Sequence, residues 1–154
     1  MKLVRVYADT SVFGGCFDDE FSEDSKFFFG QVKKGEFILV ISQTTLRELK
    51  KAPENIRRVL ADVPPQHLEV IEDDPEINTL RDAYLKAGVV GSASQEDAEH
   101  IAAASVAEVD MVISWNFKHI VHFEKISGYQ AVNILNGYRS IRIFSPKEVI
   151  KYET

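Results

Sequence analysis

Four oxygen-bearing side chains are candidates for shared chemistry: Asp9, Glu48, Asp97 and Asn116. Asp9 ends the apolar run 3–8, broken only by Arg5, and Thr10 and Ser11 follow it at once. Asn116 stands just beyond the run Met111-Val112-Ile113, after Ser114 and Trp115. Carboxylates brought together repel, so such a group persists only with raised pKa values or a bound cation. Oxygen-only ligands select Mg2+ or Mn2+ over zinc. A metal held by some carboxylates, with water positions left, is what phosphodiester hydrolysis needs. Acidic clusters of this kind also occur in phosphatases and in phosphoacceptor domains, where Asp9 would be the acceptor. That last reading lacks a lysine at a strand end.

The elements that must position these residues follow from hydrophobic periodicity. Segment 97–116 reads as a small-residue helix (Ala98, Ala102, Ala103, Ala104, Ala107), a short apolar strand and a polar turn. Asp97, Ile101 and Ala104 fall at i, i+4 and i+7, which aims one carboxylate inward on an apolar face. Burying it costs several kcal/mol, on the order of a lost ion pair, unless a partner compensates. Ser94 followed three residues later by Asp97 resembles a capping box, so a helix-end role for Asp97 is the competing reading.

Further strands are expected at 37–41, 68–71 and 141–144, and helices at 22–34, 43–52, 54–61 and 73–86. Segment 116–136 reads as irregular, with short helical pieces at 119–123 and 129–135. Ser145-Pro146-Lys147-Glu148 carries the cap, first-turn proline and N3 acid of a terminal helix. Alternating strands and helices imply an α/β fold, a three-layer α/β/α sandwich with a central, mainly parallel sheet. Four strands run straight into Asp9-Thr10, Ser42, Ser114 and Ser145, and sites in open parallel sheets form outside the carboxyl ends of strands. Glu48 and Asp97, on helices, can border that edge.

The 154 residues suit one domain, and a 45% hydrophobic content is enough for a core. No apolar stretch approaches the ~20 residues that span a bilayer, so a cytoplasmic protein without a membrane partner is expected. A lone Cys16 excludes an internal disulfide and a thiol-based zinc site. The net charge of -6 argues against a general electrostatic nucleic-acid binder but not against a nuclease, since bound metal reverses the local sign.

Taken in order, Tyr7-Ala8-Asp9-Thr10-Ser11, Thr45-Leu46-Arg47-Glu48-Leu49, Asp97-Ala98-Glu99-His100-Ile101-Ala102-Ala103-Ala104 and Asp110-Met111-Val112-Ile113-Ser114-Trp115-Asn116 resemble the motifs of PIN-domain nucleases. The likeness runs from the first strand to Ser145 and is greatest to VapC-like toxins of toxin-antitoxin pairs. It implies a PIN-type endoribonuclease dependent on Mg2+ or Mn2+, often a homodimer and often inhibited by an antitoxin protein. Asp9, Glu48 and Asp97 would hold metal, with Asn116 assisting. Thr10 or Ser11 would hold a metal-bound water or a phosphate oxygen, and Ser114 and Lys118 would face the RNA. Asp110 matches an acid read as structural, because it precedes its strand. The chain departs from the pattern at Asn116, where family members commonly carry Asp. Asn offers a carbonyl without charge, which weakens a second metal position most. The alternative is therefore a catalytically weakened PIN-fold module that binds RNA or an antitoxin.

Several neighbours have two readings. His100, three residues after Asp97, is a phosphate contact or proton carrier on one and a packing histidine on the favoured other. Lys118, His119, His122 and Lys125 form a modest basic lip for RNA phosphates or a solvated surface. Trp115 stacks on a base or, preferably, packs in the core.

Overall fold

The computed structural model describes residues 2–150. Its sheet has five strands, β1 (Val4–Ala8), β2 (Phe37–Ile41), β3 (Leu68–Val70), β4 (Met111–Ile113) and β5 (Ile143–Phe144), in the order β3-β2-β1-β4-β5. Every pairing is parallel, with Tyr7 opposite Val40 on one side and Val112 on the other. Helices cover both faces. The strands read as mostly apolar runs, broken by Arg5 and Glu69, for that reason: alternate residues enter different cores. Phe37, Leu39 and Ile41 join one core, while Ile38 and Val40 face the other.

The first core is closed by α1 (Thr10–Gly15), α2 (Ser22–Lys33), α3 (Gln43–Lys50), α4 (Glu54–Ala61) and α8 (Pro146–Val149). The second is closed by α5 (Pro75–Lys86), α6 (Gln95–Val106) and α7 (Phe123–Leu135). The alanines of α6 are buried to the backbone, which lets that helix lie close to the sheet and brings its first turn to the strand ends. No helix of the described residues is long and apolar enough to cross a membrane.

Several elements differ from expectation. The polar segment after β1 is helical, not a loop. A Cβ at Gly15 within it would lie 2.5 Å from Ser25 Oγ and 2.8 Å from Trp115 Nε1, so glycine is there to admit close packing. The helical piece expected at 119–123 is not formed, residues 119–122 being turns and bends, and the piece expected at 129–135 starts earlier, as one helix from Phe123 to Leu135. Ser127-Gly128 interrupts its pattern, and a Cβ at Gly128 would press to 3.0 Å from Val89. β3 and β5 are shorter than expected, at three and two residues. The terminal helix is capped as expected, with Glu148 accepting from Ser145 N at 2.8 Å.

Candidate active site

The site is built at the carboxyl ends of β1 and β4, the point where the strand order reverses and crossovers leave a crevice. Tyr7 and Asp9 are two apart on β1 and its exit, so their side chains share the α6 side of the sheet. Asp9 is 4% exposed, and both its oxygens are taken. Ser11 Oγ donates to Oδ1 at 2.5 Å and Ser114 Oγ donates to Oδ2 at 2.7 Å. Those hydroxyls accept in turn from the backbone N–H groups of Trp115 and Asn116, both at 2.9 Å, which ties the exits of β1 and β4 together.

Asp97 occupies the first turn of α6. Ser94 makes no side-chain cap bond, so the competing reading of a capping box is not realised; the Asn116 side chain lies beside the Asp97 carboxylate and favours its charged form. This corrects the part given to Asn116. Its Oδ1 accepts from Lys118 N at 3.2 Å and His119 N at 2.9 Å, a turn that Asn side chains build readily, so the carbonyl is occupied. Asn116 shapes the following loop and, through that turn, sets the chain beside Asp97.

Glu48 reaches the site from α3, accepting from Thr10 Oγ1 at 2.7 Å. Its Oε1 also lies 2.5 Å from His100 Nε2. His100, 2% exposed, completes a line with Nδ1 2.6 Å from Tyr7 OH, which is itself 2.7 Å from Ser42 Oγ. A histidine read as packing is thus the centre of the polar network. Spacing had placed it next to Asp97, but its link to Glu48 spans 52 residues and Tyr7 reads from sequence as a core aromatic. Glu96, also not anticipated, lies close enough to Glu48 for the two carboxyls to influence each other's ionisation.

Electrostatics follow from this packing. Burial pushes the Asp9 carboxyl above its ordinary value; the His100 charge and the Ser11 and Ser114 hydroxyls oppose that, and Asp97 adds to it. Burial likewise raises Asp97, against the charges of His100 and His119 and the Asn116 side chain, with Glu48 adding to the rise. Burial disfavours a charged His100, yet the Tyr7 oxygen, the Glu48 carboxylate and Asp9 hold its pKa well above 6.5. Glu48 is raised by burial, but His100 and Thr10 outweigh it and bring the carboxyl down to about 2. Glu96 is raised by Glu48 beside it.

Among the described residues, no three His, Cys, Asp or Glu side chains stand together as a set that could hold a metal ion. The expected trio is therefore not closed: Glu48 is turned to His100 and Thr10. The chemistry at Asp9 and Asp97 does fit a hard divalent cation. The donors are carboxylate oxygens, burial has raised both, and the charge of Asp97 raises Asp9 further, so a cation beside them would relieve a cost already present.

The hydroxyls of Thr10, Ser11 and Ser114 are all engaged by carboxylates, whereas Lys118 is exposed on the loop beyond Asn116. Trp115 is core: its ring stacks on Phe21 at 4.2 Å and Nε1 donates to Ser25 Oγ at 2.8 Å. Cys16 is buried, and burial pushes its thiol up to about 11. Asp110 is structural as expected, accepting from Arg5 N at 2.7 Å at the opposite end of β4.

A cleft of about 420 Å³ lies on the other side of Ser42, between Thr44, Arg47, Arg81 and Glu99. Glu99 pairs there with Arg47 at 2.5 Å and with Arg81 at 3.0 Å, and the cleft does not contain the carboxylates of the site. The opening that includes Asp97 is a separate depression of about 380 Å³ formed by residues 92–97. Compared with protein-family models and with curated proteins, the chain gives no match.

Proposed function

We propose that this chain is a PIN-type endoribonuclease, the toxin of a toxin-antitoxin pair, that hydrolyses RNA phosphodiesters with Mg2+ or Mn2+. The observation that carries this reading is the convergence of Asp9, Glu48, Asp97 and Asn116, from four separate sequence segments, on one polar network at the switch point of a parallel sheet. Asp9 and Asp97 would hold the ion, which when bound supplies activation of the attacking water and neutralises charge building on phosphate. Ser11 and Ser114 hold the Asp9 oxygens in place. Asn116, beside Asp97, favours its charged form, and His100 fixes Glu48 and offsets the charge of the acids around it. Lys118, exposed on the adjoining loop, is suited to a phosphate of the substrate. A homodimer and an antitoxin belong to the same proposal, carried only by the resemblance to VapC-like proteins.

The test is cleavage of a structured RNA pool with Mn2+ or Mg2+ by wild type and Asp97→Asn. Loss of cleavage in the variant is expected; full activity would sink the assignment. One observation favours the second reading, a PIN-fold module that binds RNA or antitoxin with weakened turnover: the Asn116 carbonyl is already committed to backbone N–H groups. That reading predicts partner or RNA binding that survives EDTA, with no cleaved product from the wild type.

A further inference from the structure

The segment after Asn116 carries features that the carboxylate network does not use. Phe117 is 47% exposed, although its ring belongs to an aromatic group, 6.2 Å from both Trp115 and Phe21. Six residues on, Phe123 is 75% exposed at the start of α7, with its ring stacked on His122 at 5.1 Å and an interplanar angle of 19°. Exposed Lys118 lies between them, and half-buried Lys125 follows. Exposing two phenyl rings to water on one loop is unfavourable unless a planar partner covers them, and rings already braced by a second ring present a rigid face. The loop is continuous with the site, because Asn116 accepts from its first backbone N–H groups and its own N–H donates to Ser114, the residue that holds Asp9.

We propose that this loop is a platform for unpaired RNA bases, with Phe117 and the His122–Phe123 pair as stacking faces and Lys118 and Lys125 as phosphate contacts. The proposal rests on the ribonuclease reading for the identity of its ligand. Aromatic faces interleaved with a few cations describe single-strand recognition, in which stacking works on any base and the base must be splayed from a helix to reach the ring. A duplex offers its bases only edge-on and gives the two rings nothing to cover. The net charge of -6 leaves few cations to collect phosphates, so stacking must carry a large share of affinity. With two lysines engaged, the slope of log K against log salt should be shallow, roughly -1.4 for a single strand.

The experiment is fluorescence anisotropy in EDTA, with the intact chain and a short labelled oligoribonucleotide, single-stranded or annealed to its complement. The single strand should bind more tightly than the duplex, with the shallow salt slope. Phe117→Ala and Phe123→Ala should each weaken it by about tenfold, the lower end of base stacking, and Phe117→Trp should retain it. Both phenylalanines are exposed, and urea unfolding of each variant verifies that the fold is intact. Equal or tighter binding of the duplex, or folded alanine variants that bind as wild type does, would overturn the platform. Failure of the catalytic reading looks different: RNA left uncut in Mn2+ while Phe117-dependent binding persists removes the nuclease and keeps the platform. Asp97-dependent cleavage with Phe117→Ala unchanged in binding does the reverse.

Discussion

Ser114→Ala removes one hydroxyl from a fully buried position, and the structure fixes what that costs. Ser114 Oγ is the donor to Asp9 Oδ2 at 2.7 Å and the acceptor from Asn116 N at 2.9 Å. A hydrogen bond to a charged group contributes about 1.5–3 kcal/mol, and a backbone N–H left without its acceptor adds about 1. Water cannot replace the lost donor easily, because Asp9 is 4% exposed. Ser11 still holds the other oxygen, so the fold should survive with a loss of about 2–4 kcal/mol by urea denaturation at neutral pH. The pH dependence follows from the state of Asp9. Its carboxyl is raised above 3.8 by burial, so acidification through that folded-state value neutralises it and removes the charge-assisted part of the bond. The penalty of Ser114→Ala should then shrink toward about 1 kcal/mol. In a double-mutant cycle with Asp9→Asn, the coupling at neutral pH should be about 1 kcal/mol or more. A penalty well under 1 kcal/mol at neutral pH, or additive behaviour in the cycle, would refute the view that Ser114 holds the Asp9 carboxylate.

Other consequences of the packing are open to simple measurement. His100 should titrate above 6.5 by NMR; because the folded value is raised, its contribution to stability is fully present below 6.5 and fades as pH rises through the folded value, by at most about 1.4 kcal/mol per pH unit. Asp9 and Asp97 act in the same sense from about pH 4 upward, whereas Glu48, held down to about 2, stabilises above 4.5 and loses that contribution on acidification toward 2. A His100 resonance that titrates at or below 6.5 would contradict this arrangement. Gly15→Ala should destabilise by about 1–3 kcal/mol in thermal or urea unfolding, since the new methyl would meet the Ser25–Trp115 hydrogen bond; a neutral outcome would mean that helix α1 is free to shift.

Much of this architecture is legible in the sequence because the signals are local. Apolar runs of five residues closed by Ser42, or of three closed by Ser114, suit short buried strands, and the cap at Ser145 announces the helix that follows it. The elements that differ depend on distant partners. Gly15 and Gly128 pack closely against Trp115 and Val89. The site divides in the same way. Asp9, Glu48 and Asp97 stand out by charge beside apolar neighbours, and the sheet edge collects them. The parts of His100, Tyr7 and Asn116 follow from contacts across 52, 93 and 19 residues, which no spacing rule encodes. Asn116 reads as a weaker carboxylate from sequence alone; that its carbonyl accepts from the N–H groups of Lys118 and His119 is visible only in three dimensions.

The measurement that bears most directly on the central claim is calorimetric titration of the chain with Mn2+ and Mg2+, comparing wild type, Asp97→Asn and Asn116→Asp, with RNA cleavage followed in the same samples. The account predicts metal binding by the wild type that is lost in Asp97→Asn together with cleavage. It also predicts tighter binding in Asn116→Asp, where a second anionic oxygen replaces an amide beside Asp97. A wild type that binds neither ion and cuts no RNA, with binding restored only by Asn116→Asp, would contradict it and leave a fold that has lost its metal chemistry.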